Sequence, residues 1–463
     1  MKSVKIPVQL KKMQEIFAKN GHKAYLVGGA VRDMLRGKDA SDWDIATDAT
    51  PQQVISMFHR VIPTGIAHGT VTVIFMGRHI EVTTFRSEKG YSDGRHPDYV
   101  EFGKNIDIDL SRRDFTMNAI AVSLGNGQII DPFNGQLDIK NKLIRTVGRP
   151  EERFDEDGLR PIRAIRFATQ LGFSIEDRTL TAIPSVLQRI ESISIERFRD
   201  ELEKIITSRM PSTALELMES TGILKIFIPE LASCRGVEQA DYRNIHQFDV
   251  LHHLFYSCDG APQNKKLVRF AALFHDIGKP SCKNHEQRNG QNIITFYNHE
   301  NKSAQICQEL MTRLRFSKAD TEYVCHLVKN HMFHYESNWS DAAVRRFLMR
   351  VKPQCIEDLF DLRLADVYGM TRISPQLKDG LWSQNLIELK DRIKQISQKE
   401  IALSVKDLAV NGTDLMAQGI PAGRMLGSIL HELLETVLDD PNCNTKETLL
   451  KIAKNIAIQN NIT

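Results

Sequence analysis

Hydrophobic positions follow two periodicities along this chain, and the change falls near residue 150. Longer amphipathic patterns after Glu151, such as GLRPIRAIRFATQLGF and IERFRDELEKIITS, predict helices. Before it, short runs rich in β-branched and aromatic residues predict strands at 24–29, 43–47, 69–76, 79–85 and 119–124. The pattern therefore predicts an α+β fold, with a small mixed-sheet head followed by an elongated all-helical body.

The length of 463 residues is too great for one hydrophobic core. Polar stretches at 238–247 (EQADYRNIHQ) and 395–414 (QISQKEIALSVKDLAVNGTD) are typical of segment boundaries. Together with the change of periodicity, they predict four segments: 1–150, 151–235, 236–395 and 396–463.

Composition limits the functional classes. The formal net charge is only +3, so any basic surface for nucleic acid must be local. The seven cysteines are scattered without a CxxC pair, which argues against a disulfide framework and a zinc knuckle. No uninterrupted apolar stretch reaches about 20 residues, and the N-terminal segment is charged throughout. We expect a cytoplasmic protein without a membrane partner, and the oligomeric state stays open.

The stretch SDWDIATD places Asp42 and Asp44 on one face of a predicted strand. Two adjacent carboxylates repel each other unless a cation lies between them. Glu81, on another predicted strand, offers a third carboxylate. Carboxylate oxygens are the ligands that Mg²⁺ prefers, so the pattern predicts a magnesium site, although solvated carboxylates at a strand end give the same pattern.

A strand that ends in Gly28 and Gly29 and runs into a helix is suited to phosphate, because backbone N–H groups and the helix dipole point at the ligand. The ordinary alternative is a tightly packed turn. A phosphate cradle that faces a metal-binding pair predicts an in-line displacement. Two Mg²⁺ ions would activate a hydroxyl nucleophile and stabilise the leaving pyrophosphate.

The segment RRDFTMNAIA adds polar groups for a nucleotide. Arg112 and Arg113 are adjacent and point in different directions, so one could clamp a triphosphate while the other braces the fold. Asp114 or Asn118 could hydrogen-bond a ribose. A surface ion pair is the alternative interpretation.

The segment DEDGLRPIRAIRFA predicts a helix on which Asp157 and Arg160 share a face that Arg163 and Arg166 extend. Cytosine and adenine each present an amino donor beside an unprotonated ring nitrogen. A carboxylate and a guanidinium match that edge, whereas guanine and uracil present a carbonyl beside a ring N–H. The pair can therefore select C and A without a template, unless it is only a solvated ion pair.

Five ordered motifs together resemble one family: LVGGAVRD, SDWDIATD, RRDFTMNAIA, EDGLRPIRAIRFA and ISIERFRDELEKI. They are similar to the bacterial-type (class II) tRNA nucleotidyltransferases and poly(A) polymerases, within the polymerase β-like nucleotidyltransferase superfamily. The resemblance spans roughly the first 230 residues. It implies a polymerase β-like head at 1–150 and a neck at 151–235 for base selection and tRNA binding.

The resemblance also implies residue roles. Asp42 and Asp44 would bind the catalytic Mg²⁺ ions, and Asp157 and Arg160 would form the base-selecting pair. Contacts to the incoming CTP or ATP, chiefly through phosphates, would come from Gly29, Arg32, Arg113, Arg163 and Arg166.

Other segments have less direct roles in the resemblance. The stretch 87–109 resembles a flexible loop that helps the family switch from C to A addition, and its presence favours ATP use. Glu196, Arg197 and Glu201 belong to a motif that stabilises the neck rather than to the chemistry. The tail at 396–463 resembles helices that contact the tRNA body.

A second constellation lies in DVLHHLFYSCDGAPQNKKLVRFAALFHDIGKP. A histidine one helix before the adjacent His275 and Asp276 resembles the HD metal-dependent phosphohydrolase superfamily. Imidazole and carboxylate ligands suit Ni²⁺ or Mn²⁺ as well as magnesium. The predicted ligands are His253, chosen over His252, together with His275, Asp276 and Asp366, and His299 lies in the expected order.

The sequence thus predicts an enzyme that completes the 3′ CCA of tRNA, with an HD phosphohydrolase activity as a further possibility. The same motifs allow an A-adding enzyme or a poly(A) polymerase. From another class comes an HD-type phosphohydrolase whose N-terminal domain only binds nucleotide or RNA.

Overall fold

The structure is a computed structural model that describes residues 4–40, 42–90, 99–239, 247–288, 291–373, 381–398 and 404–459. The chain divides into two compact units, Met1–Ala232 and Ser233–Thr463. The division lies close to the boundary predicted at 235, and the boundaries at 150 and 395 stay predictions. Both predicted polar breaks and the stretch 87–109 lie partly outside the described residues.

A mixed sheet forms the centre of the first unit. All five predicted β-rich runs become strands in it. The strands of this unit are β1 (Ala24–Val27), β2 (Asp44–Thr47), β3 (Val61–Gly65), β4 (Thr70–Phe75), β5 (Arg78–Thr84), β6 (Arg86–Lys89), β7 (Tyr99–Phe102), β8 (Ala121–Ser123), β9 (Ile129–Ile130), β10 (Leu143–Ile144) and β11 (Ser174–Ile175).

Seven of these strands pair in the order β3-β4-β5-β2-β1-β8-β9. Strands β2 and β5 run parallel, whereas the other neighbours in this sheet pair antiparallel. Strands β6 and β7, which lie before and after residues 91–98 in sequence, form a separate antiparallel pair. Most of both strands falls within the stretch 87–109. The order places β2, with its predicted metal ligands, in the interior of the sheet.

Helices make up the rest of the first unit. Thr50 and Gln53 form a capping box at the start of one, because each side chain accepts from the backbone N–H of the other. The helices are α1 (Val8–Lys19), α2 (Gly29–Leu35), α3 (Pro51–Met57), α4 (Ile106–Ser111), α5 (Gly135–Lys140), α6 (Pro150–Glu156), α7 (Leu159–Leu171), α8 (Asp177–Thr181), α9 (Leu187–Glu191), α10 (Ile195–Ile206), α11 (Pro211–Ser220), α12 (Ile223–Phe227) and α13 (Pro229–Ala232).

A buried ion pair joins α7 to α10 within an apolar core. Ile162 and Ile165 of α7 and Phe198 of α10 are fully buried. Beside them the Arg166 guanidinium donates to the Glu201 carboxylate, and both side chains are less than a tenth exposed. Glu201 therefore compensates a guanidinium that burial would otherwise destabilise.

Removing that carboxylate is expected to destabilise the first unit. Glu201→Ala leaves the Arg166 charge buried, which costs about 3 to 5 kcal/mol of the free energy of unfolding. Burial raises the pKa of Glu201, but Arg166 and Lys204 together hold it below its ordinary value. The stabilisation is thus present above the unfolded pKa of about 4.3 and is lost as pH falls through the lower folded pKa.

Chemical denaturation followed by circular dichroism measures this effect. The exposed Asp200 on the same helix provides the control. Asp200→Ala should change the free energy of unfolding by no more than about 0.5 kcal/mol. Equal effects of the two substitutions would show that the buried pair contributes no special stability.

The described part of the second unit is mostly helical, as predicted, but two short strands depart from the all-helical expectation. These are β12 (Asn284–Arg288) and β13 (Gln291–Thr295), which pair antiparallel. The helices are α14 (Val250–Gly260), α15 (Lys266–Phe274), α16 (Lys279–Cys282), α17 (His299–Arg313), α18 (Lys318–Asn330), α19 (Asp341–Val351), α20 (Ile356–Thr371), α21 (Leu381–Ser397), α22 (Gly412–Met416), α23 (Arg424–Asp439) and α24 (Lys446–Gln459).

Helices α14 and α20 pack closely in this unit. A Cβ added at Gly369 of α20 would lie 2.7 Å from the carbonyl oxygen and 3.0 Å from Nδ1 of His253 on α14. Glycine is therefore required at this position, and it lets the His253 ring approach α20. Among the described residues, no helix combines the length and the apolar character needed to cross a lipid bilayer.

Candidate nucleotidyl-transfer site and metal centre

Strand register brings the head-domain residues together. Val27, the last residue of β1, lies opposite Asp44, and Asp44 lies beside Glu81 in the parallel pair β2–β5. The turn that follows Val27 therefore meets the carboxylates of two strands. Asp42 precedes β2, which begins at Asp44, so the expectation that one strand carries both aspartates is wrong by two residues.

The segment between the aspartates is anchored by the tryptophan. Trp43 is buried, and its indole N–H donates to the Ala40 carbonyl at 2.9 Å. The Arg78 guanidinium lies 4.5 Å from the centre of the indole ring. These contacts fix the position of Trp43 and thereby of the backbone that carries Asp42 and Asp44.

The charges around Asp44 favour a cation. Burial, together with the neighbouring Glu81 and Asp42 carboxylates, raises the pKa of Asp44 to about 6 against the opposing effect of Arg113. The charged form of Asp44 is thus less favourable than that of an ordinary carboxyl, and a bound cation would stabilise it. Their oxygens are hard donors, so Asp42, Asp44 and Glu81 fit a divalent ion such as Mg²⁺.

Gly28 is required in the turn between β1 and α2. Its φ is +71°, and a Cβ there would lie 3.3 Å from both Arg113 Nη1 and Asp44 Oδ2. Arg113 therefore stands beside the turn and the carboxylates. Both adjacent arginines donate to the buried Asp109, Arg112 through Nη2 to Oδ1 at 2.7 Å and Arg113 through Nη2 to Oδ2 at 3.3 Å. Arg113 in addition lies beside the Gly28 turn and Asp44.

A polar network links α2 to α7. Arg32 Nη1 donates to Asn118 Oδ1 at 3.1 Å, and Asn118 Nδ2 donates to Asp114 Oδ1 at 3.0 Å. Arg163 donates to the other Asp114 oxygen through Nε at 3.0 Å and Nη2 at 2.7 Å. Although burial raises the pKa of Asp114, Arg163 and Asn118 lower it to about 2. Asp114 is thus a charged link between two proposed phosphate-binding arginines.

The predicted single helix through Asp157 and Arg160 is wrong. Helix α6 ends at Glu156 and α7 begins at Leu159, so Asp157 lies in the break. Its Oδ1 accepts from the Leu159 N–H at 3.0 Å, a local bond that replaces helical geometry. Arg163 and Arg166 do follow on α7.

The break changes the partners of both residues. Asp157 Oδ2 accepts from Arg197 Nη2 at 2.8 Å, and Arg160 Nη1 donates to Glu156 Oε2 at 2.5 Å. Sequence reasoning placed Arg197 in a neck motif and left the role of Glu156 out. No local charge pattern reveals the Asp157–Arg197 pair, because the two residues are 40 apart in the chain, whereas Glu156 and Arg160 stand at the i,i+4 spacing.

In the second unit, buried histidines and carboxylates converge. His253 of α14 and His275, just after α15, bring their Nε2 atoms to 3.1 Å. Asp366 Oδ1 lies 3.3 Å and 3.6 Å from these two nitrogens, and Asp276 Oδ2 lies 3.4 Å from both. The structure thus places the four predicted ligands in one cluster. His252 lies outside it, bonded to Asp249 at 2.7 Å.

Two further histidines extend this cluster. Asp276 Oδ1 lies 3.1 Å from His299 Nε2 and 3.5 Å from His331 Nε2. His331, which follows α18, was missed by sequence reasoning. In the sequence, His331 lies in VKNHMFH, a segment without an HD signature. Its place in the cluster becomes evident only from the packing of α18.

These residues fit metal ions. Among the described residues, Asp276 Oδ1, His299 Nε2 and His331 Nε2 are buried atoms without a hydrogen bond. Two nitrogens that bind one ion at about 2.1 Å lie about 3.0 to 3.4 Å apart, which agrees with the spacing of His253 and His275. Burial lowers the pKa of His275, yet Asp276 and Asp366 raise it to about 10. The cluster therefore favours added positive charge.

Charged neighbours orient the two carboxylates. Lys279 Nζ lies 2.6 Å from Asp276 Oδ2, and Arg363 Nη1 donates to Asp366 Oδ2 at 2.6 Å. Burial raises the pKa of both acids, but Lys279 and His275 at Asp276, and His253 and His275 at Asp366, hold the pKa values well below the ordinary range. Both carboxylates are thus held in the ionised form that a metal ligand requires.

Comparisons with known proteins match segments of both units to known families. Three family models match the chain: the poly A polymerase head domain over 24–145, the probable RNA and SrmB-binding site of polymerase A over 172–235, and the HD domain over 243–371. The CCA-adding enzyme of Levilactobacillus brevis is 34% identical over 432 residues, which are 93% of each chain. The chain belongs to the family of CCA-adding enzymes.

Other members align over different lengths. The CCA-adding enzyme of Anoxybacillus flavithermus is 48% identical over 219 residues, 47% of this chain and 55% of that relative. The crystal structure of the Bacillus stearothermophilus CCA-adding enzyme in complex with CTP superposes with a TM-score of 0.72 at 27% identity, covering 98% of both chains.

Membership confirms several predictions. The predicted class II family, the fold class and the nucleotidyltransferase activity are confirmed. The family also implies the use of divalent metal ions, and the described residues include groups that could hold them. Which residues act, and on which ion, stays a prediction.

Proposed function

We propose that this chain adds the 3′-terminal CCA to tRNA from CTP and ATP. The observation that carries the proposal is the register of Val27, Asp44 and Glu81, which sets a phosphate-binding turn against a carboxylate cluster. A tRNA 3′ hydroxyl would attack the α-phosphate while pyrophosphate leaves. Catalysis then rests on positioning and charge stabilisation and needs no protein nucleophile.

Each group has a distinct role in this proposal. Asp42, Asp44 and Glu81 would hold Mg²⁺, which when bound supplies charge stabilisation for the hydroxyl and the pyrophosphate. The backbone N–H groups at Gly28 and Gly29 and the Arg113 guanidinium bind the triphosphate. Arg32 and Arg163 would complete the phosphate contacts once the nucleotide competes for their present carboxylate and amide partners. Arg166, also expected at the phosphates, is buried in its pair with Glu201 and would support them from within α7.

Base selection rests on Asp157 and Arg160. We expect Asp157→Ala to lower the preference for CTP and ATP over UTP and GTP by about tenfold or more, because one charge-assisted contact to the amino group is lost. Single-nucleotide incorporation with each of the four triphosphates measures the preference. Unchanged selectivity would contradict reading of the base edge by this carboxylate.

One experiment tests the function itself. The protein and Mg²⁺ are incubated with tRNA transcripts that lack CCA, CA or only A, with CTP and ATP supplied separately and together, and the 3′ ends are sequenced. Ordered addition that stops at CCA is the expected result. Addition of A alone, or an untemplated A tail, would assign the chain to the A-adding enzymes or poly(A) polymerases.

Several observations favour CCA addition over its alternatives. The relatives above are CCA-adding enzymes. The carboxylate cluster has no purpose in a domain that only binds nucleotide or RNA. A role for 87–109 in the switch from C to A stays a prediction, since 91–98 lies outside the described residues. The seven cysteines, all of them among the described residues, form no disulfide, which agrees with a reducing compartment.

The second unit supports a second activity, metal-dependent phosphate-ester hydrolysis. The carrying observation is that the two oxygens of Asp276 face two groups of ligands. Its Oδ2 faces His253 and His275, and its Oδ1 faces His299 and His331. These residues would hold the metal, with Asp366 completing the first group, and a bound ion would polarise the phosphate ester for attack by water. Histidine-rich sites prefer Mn²⁺ or Ni²⁺ over Mg²⁺.

A further inference from the structure

Each of the two proposed base-selecting residues forms an ion pair with a third residue rather than with the other. Arg160 N–H donates to the Asp157 carbonyl at 3.0 Å, so the two residues share one turn. Their side chains nevertheless bind other partners: Arg197 of α10 for Asp157, and Glu156 for Arg160. In the described part of the chain, no side-chain hydrogen bond or ion pair joins Asp157 to Arg160.

This arrangement leaves acceptors on Asp157 and donors on Arg160 that a base can bind. Each Asp157 oxygen accepts one hydrogen bond and keeps a further lone pair for an amino group. Arg160 uses Nη1 toward Glu156 and the Arg153 carbonyl, and Nη2 toward the Arg112 carbonyl. Nε and one Nη2 hydrogen are then available to a ring nitrogen. A direct pair between Asp157 and Arg160 would consume these groups on each other.

We propose that Arg197 is a positioning residue for base selection, resting on the function proposed above, and that it holds Asp157 apart from Arg160. Glu156 does the same from the other side by holding Arg160. The side chains of Asp157 and Arg197 are 18% and 21% exposed, so their pair is partly shielded from water. This shielding makes the bond stronger than a pair on an open surface.

Selection against uracil and guanine depends on the groups that face their base edges. Uracil and guanine are rejected because a fixed carboxylate faces their carbonyl and a fixed guanidinium faces their ring N–H. Without Arg197, the Asp157 carboxylate keeps only the Leu159 N–H bond and can rotate about χ2. It can then pair with Arg160, which neutralises both groups and removes the penalty on the wrong base.

The test compares selectivity with catalysis. Arg197→Met keeps an unbranched apolar side chain and removes the guanidinium donors. We expect the ratio of kcat/KM for CTP over UTP, on tRNA lacking CCA, to fall about tenfold or more, as for one charge-assisted hydrogen bond. Arg197→Lys keeps a cationic donor and should restore most of the ratio. Arg199→Met, on the same helix, should leave it unchanged.

Three outcomes are decisive. Equal losses for CTP and UTP in a folded Arg197→Met protein would overturn the proposal, since they show a structural role only. An altered ratio in Asp157→Ala with an unaltered ratio in Arg197→Met would also overturn it, but would leave the function proposed above intact. An unaltered ratio in both variants would show that Asp157 does not select the base, and would overturn both the selecting pair and the role of Arg197.

A second variant guards against failure of the first to fold. Glu156→Gln weakens the hold on Arg160 and leaves Arg197 in place. It should lower the same ratio, since Arg160 is then able to turn to Asp157. A ratio equal to that of the unmodified protein would contradict this arrangement of ion pairs.

Discussion

Asp42→Ala is expected to abolish nucleotide transfer, lowering kcat by at least about 10³-fold. The substitution removes one of the carboxylates proposed to hold Mg²⁺, and stabilisation of this kind contributes several kcal/mol to the transition state. Because Asp42 is exposed and precedes β2, its loss should leave the sheet intact. Binding of tRNA should change by less than about threefold, since phosphate contacts by other residues are retained.

Primer extension with CTP and a filter-binding assay with tRNA measure the two effects. Asp39→Ala is the matched control, because Asp39 is an exposed aspartate of the same segment. It should keep both activities. Transfer by Asp42→Ala at the rate of the unmodified protein would remove Asp42 from the metal site.

Asp276→Asn is expected to abolish metal binding at the centre proposed in the second unit. Asparagine keeps the size of the side chain but loses the charge that faces four histidines. After loading with Mn²⁺ or Ni²⁺ and removal of excess ion, bound metal should fall to the background level. Hydrolysis of p-nitrophenyl phosphate should fall by about 10³-fold or more.

CCA addition by the same variant separates this effect from misfolding, because the proposed transfer residues lie in the first unit. His252→Ala provides the control, since its partner is Asp249 and it lies outside the cluster. Metal retained by Asp276→Asn, measured by elemental analysis, would contradict the assignment of Asp276. Metal retained without hydrolysis by the unmodified protein would leave the centre as a structural site.

Local chemistry explains why much of the head could be predicted. Runs rich in β-branched residues identified the strands. The two glycines Gly28 and Gly29, between such a run and a helical pattern, identified the turn. The strand containing Asp44 followed from the same pattern. The helix expected through Asp157 was wrong, because the Asp157 carboxylate bonds the Leu159 N–H and ends regular geometry there.

By itself, the sequence determined most of the element types and the family, and it supplied the candidate site residues, since these depend on side-chain identity and short spacing. Only the tertiary structure decided which residues meet. The pairing of β1 with β2 sets Gly28 beside Asp44, and the packing of α10 against α7 pairs Asp157 with Arg197. His331 joins the metal cluster through α18 in the same way. Contacts between residues distant in the chain depend on packing of whole elements, which no local pattern encodes.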